Sequence, residues 1–400
     1  MGGLNVARSY ISDVTVFDGA RVRHHRGVLV EGDRIAWTGP HARSPRAAKD
    51  AREIDGAGRT LTPGLIDCHV HLDFDGAPDF AGEAQGLTPV VGALKGTVNA
   101  RKHLAAGVTT IRDLGGVGTI ELARMISEGR LPGPRVVPAG RALTITGGHG
   151  HNIGIGREVD GVEDVRGAVR EEIRAGAEAI KLIATGGVLT PGIGATFLAF
   201  TSDELTAAVE TAHARGVGVA AHAIGSEGIL HAVRAGVDTV EHCVQVTTQI
   251  AKEMAARGTF RGPTIVALLG IADHAGAAPD YAVAKATALV EDAKVGHARA
   301  IRAGVRHICS TDAGTPFNPH GNAPNEVIAM VEWGMRPLDA MIAATANGAE
   351  ALRIDDVGRV EPGMKADLVL WDANPVEDPT ALRDARTVWK GGVRLRRSVR

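Results

Sequence analysis

The chain has 400 residues, 44% of them hydrophobic, enough for one large domain with a small companion. Its 44 basic and 46 acidic side chains leave a formal net charge of -2, which removes the electrostatic basis for binding nucleic acid or an anionic membrane. Aromatics are 3%, with two tyrosines, Tyr10 and Tyr281, so a base-stacking surface is excluded as well.

The opening stretch from Met1 to Tyr10 lacks the apolar segment of a secretion signal, and no run is long enough to span a membrane. Cys68, Cys243 and Cys309 are scattered, with no CxxC pair. A reduced, cytoplasmic protein is expected, with neither nucleic acid nor membrane as partner. A homo-oligomer is compatible with this reading. Residues 13–17, 28–30 and 34–38 alternate or run apolar around the turn Glu31-Gly32-Asp33, which predicts strands. The pattern returns at 358–360, 366–371 and 388–395. Both ends, 1–62 and 358–400, are therefore expected to build one small β-sandwich.

Residues 63–357 read differently. Short apolar strands are predicted at 109–112, 135–139, 179–183, 217–221, 239–241, 260–266 and 307–310. Helices are predicted between or after them, at 203–215, 228–235, 292–303 and 337–347. Repeated βα units of this length predict an α/β fold, a distorted (β/α)8 TIM barrel. A doubly wound dinucleotide fold would carry GxGxxG after a strand, and Gly115, Gly116 and Gly118 lack the third glycine.

The chemistry begins in Leu61-Thr-Pro-Gly-Leu-Ile-Asp-Cys-His-Val-His-Leu72. His69 and His71 are two apart, so a strand points both imidazoles to one face, where one metal ion can bind. Alone, that pair is as well explained by two satisfied core histidines. Lys181 lies in an apolar strand, where a lysine ordinarily snorkels outward. His222, His242 and Asp312 each fall at the end of a further strand. Barrel enzymes keep their sites at that end. Six polar residues at strand ends would each need a partner as mere packing, so the set predicts a metal centre.

The loop Thr146-Gly-Gly-His-Gly-His-Asn152 adds His149 and His151 as candidate substrate contacts, with His149 a candidate to polarise a carbonyl and a loop-stabilising hydrogen bond the favoured reading of His151. Arg141 can meet a substrate carboxylate or, equally, form a surface salt bridge, and His320 follows Asp312 closely enough to reach a substrate. The three cysteines neighbour the ligand positions at odd spacing. They are expected on the opposite face, packed between barrel and helices.

The whole pattern resembles the amidohydrolase superfamily, and within it the imidazolonepropionase-like branch of dipeptidases and arginine carboxypeptidases. Thr146-Gly-Gly-His-Gly150, Ile180-Lys-Leu-Ile-Ala-Thr-Gly-Gly187 and Ser310-Thr-Asp-Ala-Gly-Thr-Pro316 carry the resemblance. It implies a zinc-dependent enzyme with two ions. His69, His71 and Asp312 would hold one, His222 and His242 the other, and carboxylated Lys181 would bridge them. An anionic bridge offsets the repulsion between two cations. Asp312 would also move the proton from water to the departing amine. The implied activity is hydrolysis of an amide or peptide bond, on dipeptides or the C-terminal part of a peptide, including removal of a follower segment from a natural-product peptide. A mononuclear cyclic-imidazolone or amidine hydrolase or deaminase is the enzymatic alternative, and Lys181 argues against it. A non-catalytic scaffold is the other alternative, and the six retained ligands argue against that. Peptidase relatives carry a tyrosine shortly after the histidine equivalent to His222, where this chain has Ile224.

Overall fold

The computed structural model describes residues 8–395; the ends of the expected terminal domain, 1–7 and 396–400, lie outside the described residues, as does most of the Met1 to Tyr10 stretch. The strands of both termini form one eight-stranded sheet. Its order is Val393–Arg394, Ala385–Lys390, Leu368–Trp371, Thr60–Pro63, Arg8–Phe17, Val22–Glu31 and Arg34–Pro40, with Arg52–Asp55 paired to Arg8–Phe17. The predicted 358–360 segment is not a strand.

The sheet wraps round its own core. Ile35 from one end and Trp389 from the other pack in the same cluster with Ile11, Val28, Leu61 and Leu368. The edges meet where Ala366 donates its N–H to the Asp33 carbonyl at 2.8 Å and Ile35 donates to Met364 at 2.9 Å. There a Cβ on Gly392 would sit 1.8 Å from the Gly32 carbonyl oxygen, so the approach requires glycine. Phe17, Val369 and Trp371 face the other way and pack against Leu65 and Val108 of the barrel. Burying a side chain of that kind contributes roughly 1.5–3 kcal/mol. The terminal sheet is thereby seated on the barrel.

In the barrel, Leu65–Val70, Val108–Asp113 and Arg135–Pro138 are parallel neighbours. Ala179–Ile183, Gly218–Ala223, Thr239–His242 and Phe260–Gly262 form a second parallel run. The Glu178 N–H to the Pro138 carbonyl, 2.8 Å, joins the two. The eighth place is filled by the extended 307–313 segment instead of the predicted strand. Ile308 donates to Arg261 on one side, at 3.0 Å, and Asp312 donates to His69 on the other, at 2.7 Å. With the Arg261 N–H to the Arg306 carbonyl, the Cys68 N–H to the Cys309 carbonyl and the His71 N–H to the Ala313 carbonyl, these bonds close the ring.

Three further expectations change. The strand predicted at 260–266 stops at Gly262, because Pro263 has no N–H to donate and Thr264 turns left-handed (φ 49°) before the Ile265–Ala272 helix. The 292–303 helix is the second half of Asp280–Arg302. The 337–347 helix is two, Pro337–Ala343 and Ala346–Ala351. Cys243 and Cys309 pack toward helices, beside Met254 and Ala323. Cys68 instead joins Ile66, Ala179, Ala220 and Ile308 inside the barrel, because a bulge breaks the strand's alternation there. Among the described residues no helix is long and apolar enough to cross a membrane.

Candidate metal centre

The bulge lies between Asp67 and Val70, where three steps on one strand match two on its neighbour, Ile111 to Asp113. It turns His69 and His71 toward each other, with Nε2 atoms 3.3 Å apart. Asp67 holds the turn. Its carboxylate accepts from the Thr311 hydroxyl at 2.6 Å, the Thr311 N–H at 3.0 Å and the His69 N–H at 3.3 Å. One buried side chain thus ties the first strand to the segment that carries Asp312.

Asp312 Oδ1 lies 3.2 Å from both His69 Nε2 and His71 Nε2. Lys181 Nζ is also 3.2 Å from His69 Nε2. Ligands ~2.0–2.1 Å from a tetrahedral zinc are separated by ~3.3 Å. The triangle of two imidazole nitrogens and one carboxylate oxygen has those edges, so it fits a metal ion. His222 and His242 adjoin it, with ring centroids 4.4 Å apart, and His242 is 5.4 Å from His69. The ligand atoms of His69, His242 and Asp312 fall within 4.8 Å of one another. All six predicted ligands therefore line one cavity at the C-terminal ends of the strands.

Each imidazole has one nitrogen occupied by the protein. His71 Nδ1 contacts the Gly115 carbonyl at 3.0 Å, and His242 Nδ1 the Thr264 hydroxyl at 2.8 Å. His222 uses Nε2, 2.7 Å from the Gly186 carbonyl, which leaves Nδ1 for a ligand bond. His69 Nδ1 lies 3.2 Å from Glu241 Oε2, close but without hydrogen-bond alignment. Glu241 is in turn held by Arg112 at 2.8 Å and by the Thr239 hydroxyl at 2.6 Å. Outer partners of this kind fix ring orientation and tautomer in metal sites.

Burial and neighbouring positive charge hold His69, His222 and His242 well below the ordinary imidazole value, so they are neutral, as ligands must be. Burial also lowers His71, but Asp312 and Asp113 outweigh it and raise that group. Burial raises Asp312, yet His69, His71 and Lys181 bring it below the usual carboxylate range. Burial pushes Lys181 down to about 8. His242, Thr264 and Asp312 have positive φ, at 62°, 49° and 59°. Non-glycine residues held there cost roughly 1–3 kcal/mol each and cluster at functional sites.

His149 completes the cavity wall. Its Nδ1 is 2.7 Å from the Thr190 hydroxyl, and its ring is 4.8 Å from that of His222. Burial lowers its pKa to about 4. The other substrate candidates face elsewhere. Arg141 is 48% exposed and turns to Glu172, 3.9 Å away, because Glu172 lies beneath its loop. His151 is exposed and folds back on the Gly148 carbonyl at 2.7 Å. His320 is buried behind the site, with both nitrogens engaged by His103 at 2.9 Å and the Phe74 carbonyl at 2.6 Å. None of these three lines the cavity.

Sequence reasoning missed Asp67, Arg112, Glu241, Thr190 and Thr264. Glu241 had a usable signal, a carboxylate within an apolar strand and next to a candidate ligand. Thr190 and Thr264 had none, because their importance is a matter of distance.

The sequence profile of the Amidohydrolase family matches residues 60–395. An ochratoxinase from Aspergillus niger is 32% identical, over 94% of this chain and 83% of that protein. An imidazolonepropionase from Salinispora arenicola is 29% identical, over 88% of this chain and 87% of that protein. The solved structure of a prolidase complexed with N-methylphosphonate-L-proline superposes with a TM-score of 0.90 at 31% identity, covering 98% of this chain and 100% of that one.

Proposed function

The chain belongs to the amidohydrolase family and is a hydrolase of carbon–nitrogen bonds, and from that premise we propose that it is a two-zinc hydrolase of amide or peptide bonds. The observation that carries the reading is the convergence of His69, His71, Lys181 and Asp312 at 3.2–3.3 Å, with His222 and His242 alongside. We assign His69, His71 and Asp312 to one ion, His222 and His242 to the other, and carboxylated Lys181 between them. Lys181 is suited to react with carbon dioxide, because its pKa near 8 keeps a neutral fraction at physiological pH.

When bound, the ions supply Lewis acidity, lowering the pKa of a water and polarising the scissile carbonyl. Asp312 accepts the proton of the attacking water and delivers it to the departing amine, as base and then acid. Its lowered pKa keeps the carboxylate ready to accept. His149 holds the substrate oxygen. The tautomer that accepts the Thr190 hydroxyl proton at Nδ1 presents an N–H at Nε2 for that oxygen. The ordinary strand-end tyrosine is replaced by Ile224, which lines the cavity, so His149 takes over the donor role.

The prolidase and ochratoxinase relatives favour a peptidase, acting on dipeptides or on the C-terminal part of a peptide, follower removal included. The imidazolonepropionase similarity favours a one-metal ring hydrolase, and Lys181 at the centre of the cluster speaks against it. Three free, buried cysteines accord with a cytoplasmic setting.

Elemental mass spectrometry of the zinc-loaded protein should find two zincs per chain. Lys181→Ala should lower that number and abolish hydrolysis across a panel of dipeptides and N-acyl amino acids. One zinc per chain, unchanged in Lys181→Ala, refutes the two-metal reading. Full activity of Asp312→Asn refutes the proton shuttle.

A further inference from the structure

The cavity has apolar walls beside the ligand cluster, joined through Ile271, against which Leu189 and Leu268 both pack. Phe80, Ile155 and Leu189 pack together on one side. Ile224, Leu268 and Leu289 pack together on the other. Among the described residues that line it, the Lys and Asp side chains are Lys181 and Asp312, both inside the ligand cluster, and Arg and Glu are absent. The cations nearest in the chain are committed elsewhere. Arg141 turns to Glu172. Lys285 donates to the carbonyls of Ile193 at 2.6 Å, Thr190 at 2.7 Å and Gly187 at 3.3 Å, which uses all three of its donors. His149 offers one N–H, enough for a carbonyl oxygen and too little for a carboxylate in an apolar wall.

We infer that the scissile amide is held between two uncharged apolar groups, so the preferred substrate is a blocked or internal amide rather than a free dipeptide. This rests on the amide-hydrolase reading above and narrows it, placing blocked and internal amides ahead of the free dipeptides that reading also admits. A free dipeptide carries an ammonium and a carboxylate within a few bonds of the scissile carbonyl. Bound here, both charges would leave water for walls that offer no Arg, Lys, Asp or Glu outside the proposed metal centre, a penalty that selects against them. An internal amide has no such charge. Its chain can leave the cavity and keep its termini in water.

Four peptides that share one Leu–Leu bond test this on the zinc-loaded enzyme: leucyl-leucine, its N-acetyl form, its C-terminal amide, and the doubly blocked N-acetyl amide. Cleavage is read as release of leucine or leucine amide. The doubly blocked peptide should have the highest kcat/KM, with each charge costing ~10-fold and the free dipeptide ~100-fold lower. Leu268→Arg places a guanidinium in one wall and should shift the preference toward N-acetyl-leucyl-leucine by ~10-fold relative to its amide. Equal rates or a preference for the free dipeptide overturn the inference while leaving the hydrolase reading intact. No cleavage of the doubly blocked peptide by protein that holds two zincs also overturns it. Failure to hold zinc strikes the parent reading instead.

Discussion

Gly187→Ala isolates the contribution of His149 without touching a proposed ligand. Gly187 has no positive φ, so its backbone accepts alanine. Space is what is missing. An added Cβ would lie 2.2 Å from His149 Nε2 and 2.4 and 2.5 Å from the adjoining ring carbons. Ordinary contact begins at 3.4 Å, so the ring must retreat by about 1.2 Å. That movement pulls Nδ1 from the Thr190 hydroxyl, now 2.7 Å away, and displaces Nε2, the donor proposed for the substrate oxygen. A misplacement of ~1 Å in a catalytic donor costs up to ~100-fold, and overpacking of this kind destabilises by roughly 1–3 kcal/mol. Steady-state kinetics should show kcat/KM falling ~10- to 100-fold, with zinc content unchanged. His149→Ala should fall by a similar factor. In the His149→Ala background the clash is gone, so Gly187→Ala should add nothing. Additive losses in the double variant, or wild-type kcat/KM in Gly187→Ala, would refute the reasoning.

Three other outcomes follow from buried charge and loop attachment. Arg112→Met leaves the fully buried Glu241 carboxylate without its cation, and should destabilise the fold by ~3–5 kcal/mol in urea unfolding; a change under ~1 kcal/mol would show that the pair carries little. Burial pushes the Glu326 pKa up to about 8, against the Ile265 and Val266 N–H groups that lower it. The folded value exceeds the unfolded value of ~4.3, so this group's contribution is complete below ~4.3 and is lost as pH rises through 8. Glu326→Gln should flatten the stability profile between pH 5 and 8, and an unchanged slope would assign it to other groups. Lys285→Met removes three bonds to the loop that holds Gly187 and Thr190, and should speed amide exchange across 186–193. Unchanged protection there would mean that apolar packing alone holds the loop.

Much of the barrel was legible because its pattern is local. The 179–183 strand is observed with its predicted bounds, since five residues between turn signals carry their own period. The strand at 307–310 misled because apolar sequence there serves an extended segment bonded only two or three times to each neighbour. The strand expected through Val266 failed at Pro263-Thr264, where the backbone reverses hand. Arg141 read equally as a carboxylate receptor and as half of a surface salt bridge, and only the location of Glu172, thirty-one residues further on, decided for the second.

Residue types and spacing by themselves marked the six candidate ligands, their strand-end placement and the βα alternation behind it, because each depends on a period of two or on a single repeating unit. The folded chain decided the rest. It selected Nδ1 of His222 and Nε2 of His71 and His242 as the nitrogens left to the cluster, since Gly186, Gly115 and Thr264 occupy the others. It also brought Phe80, Ile155 and Leu268 from three distant segments into the walls of one cavity. No local pattern encodes such meetings. They arise when the barrel closes and segments far apart in the chain are forced to share a single rim.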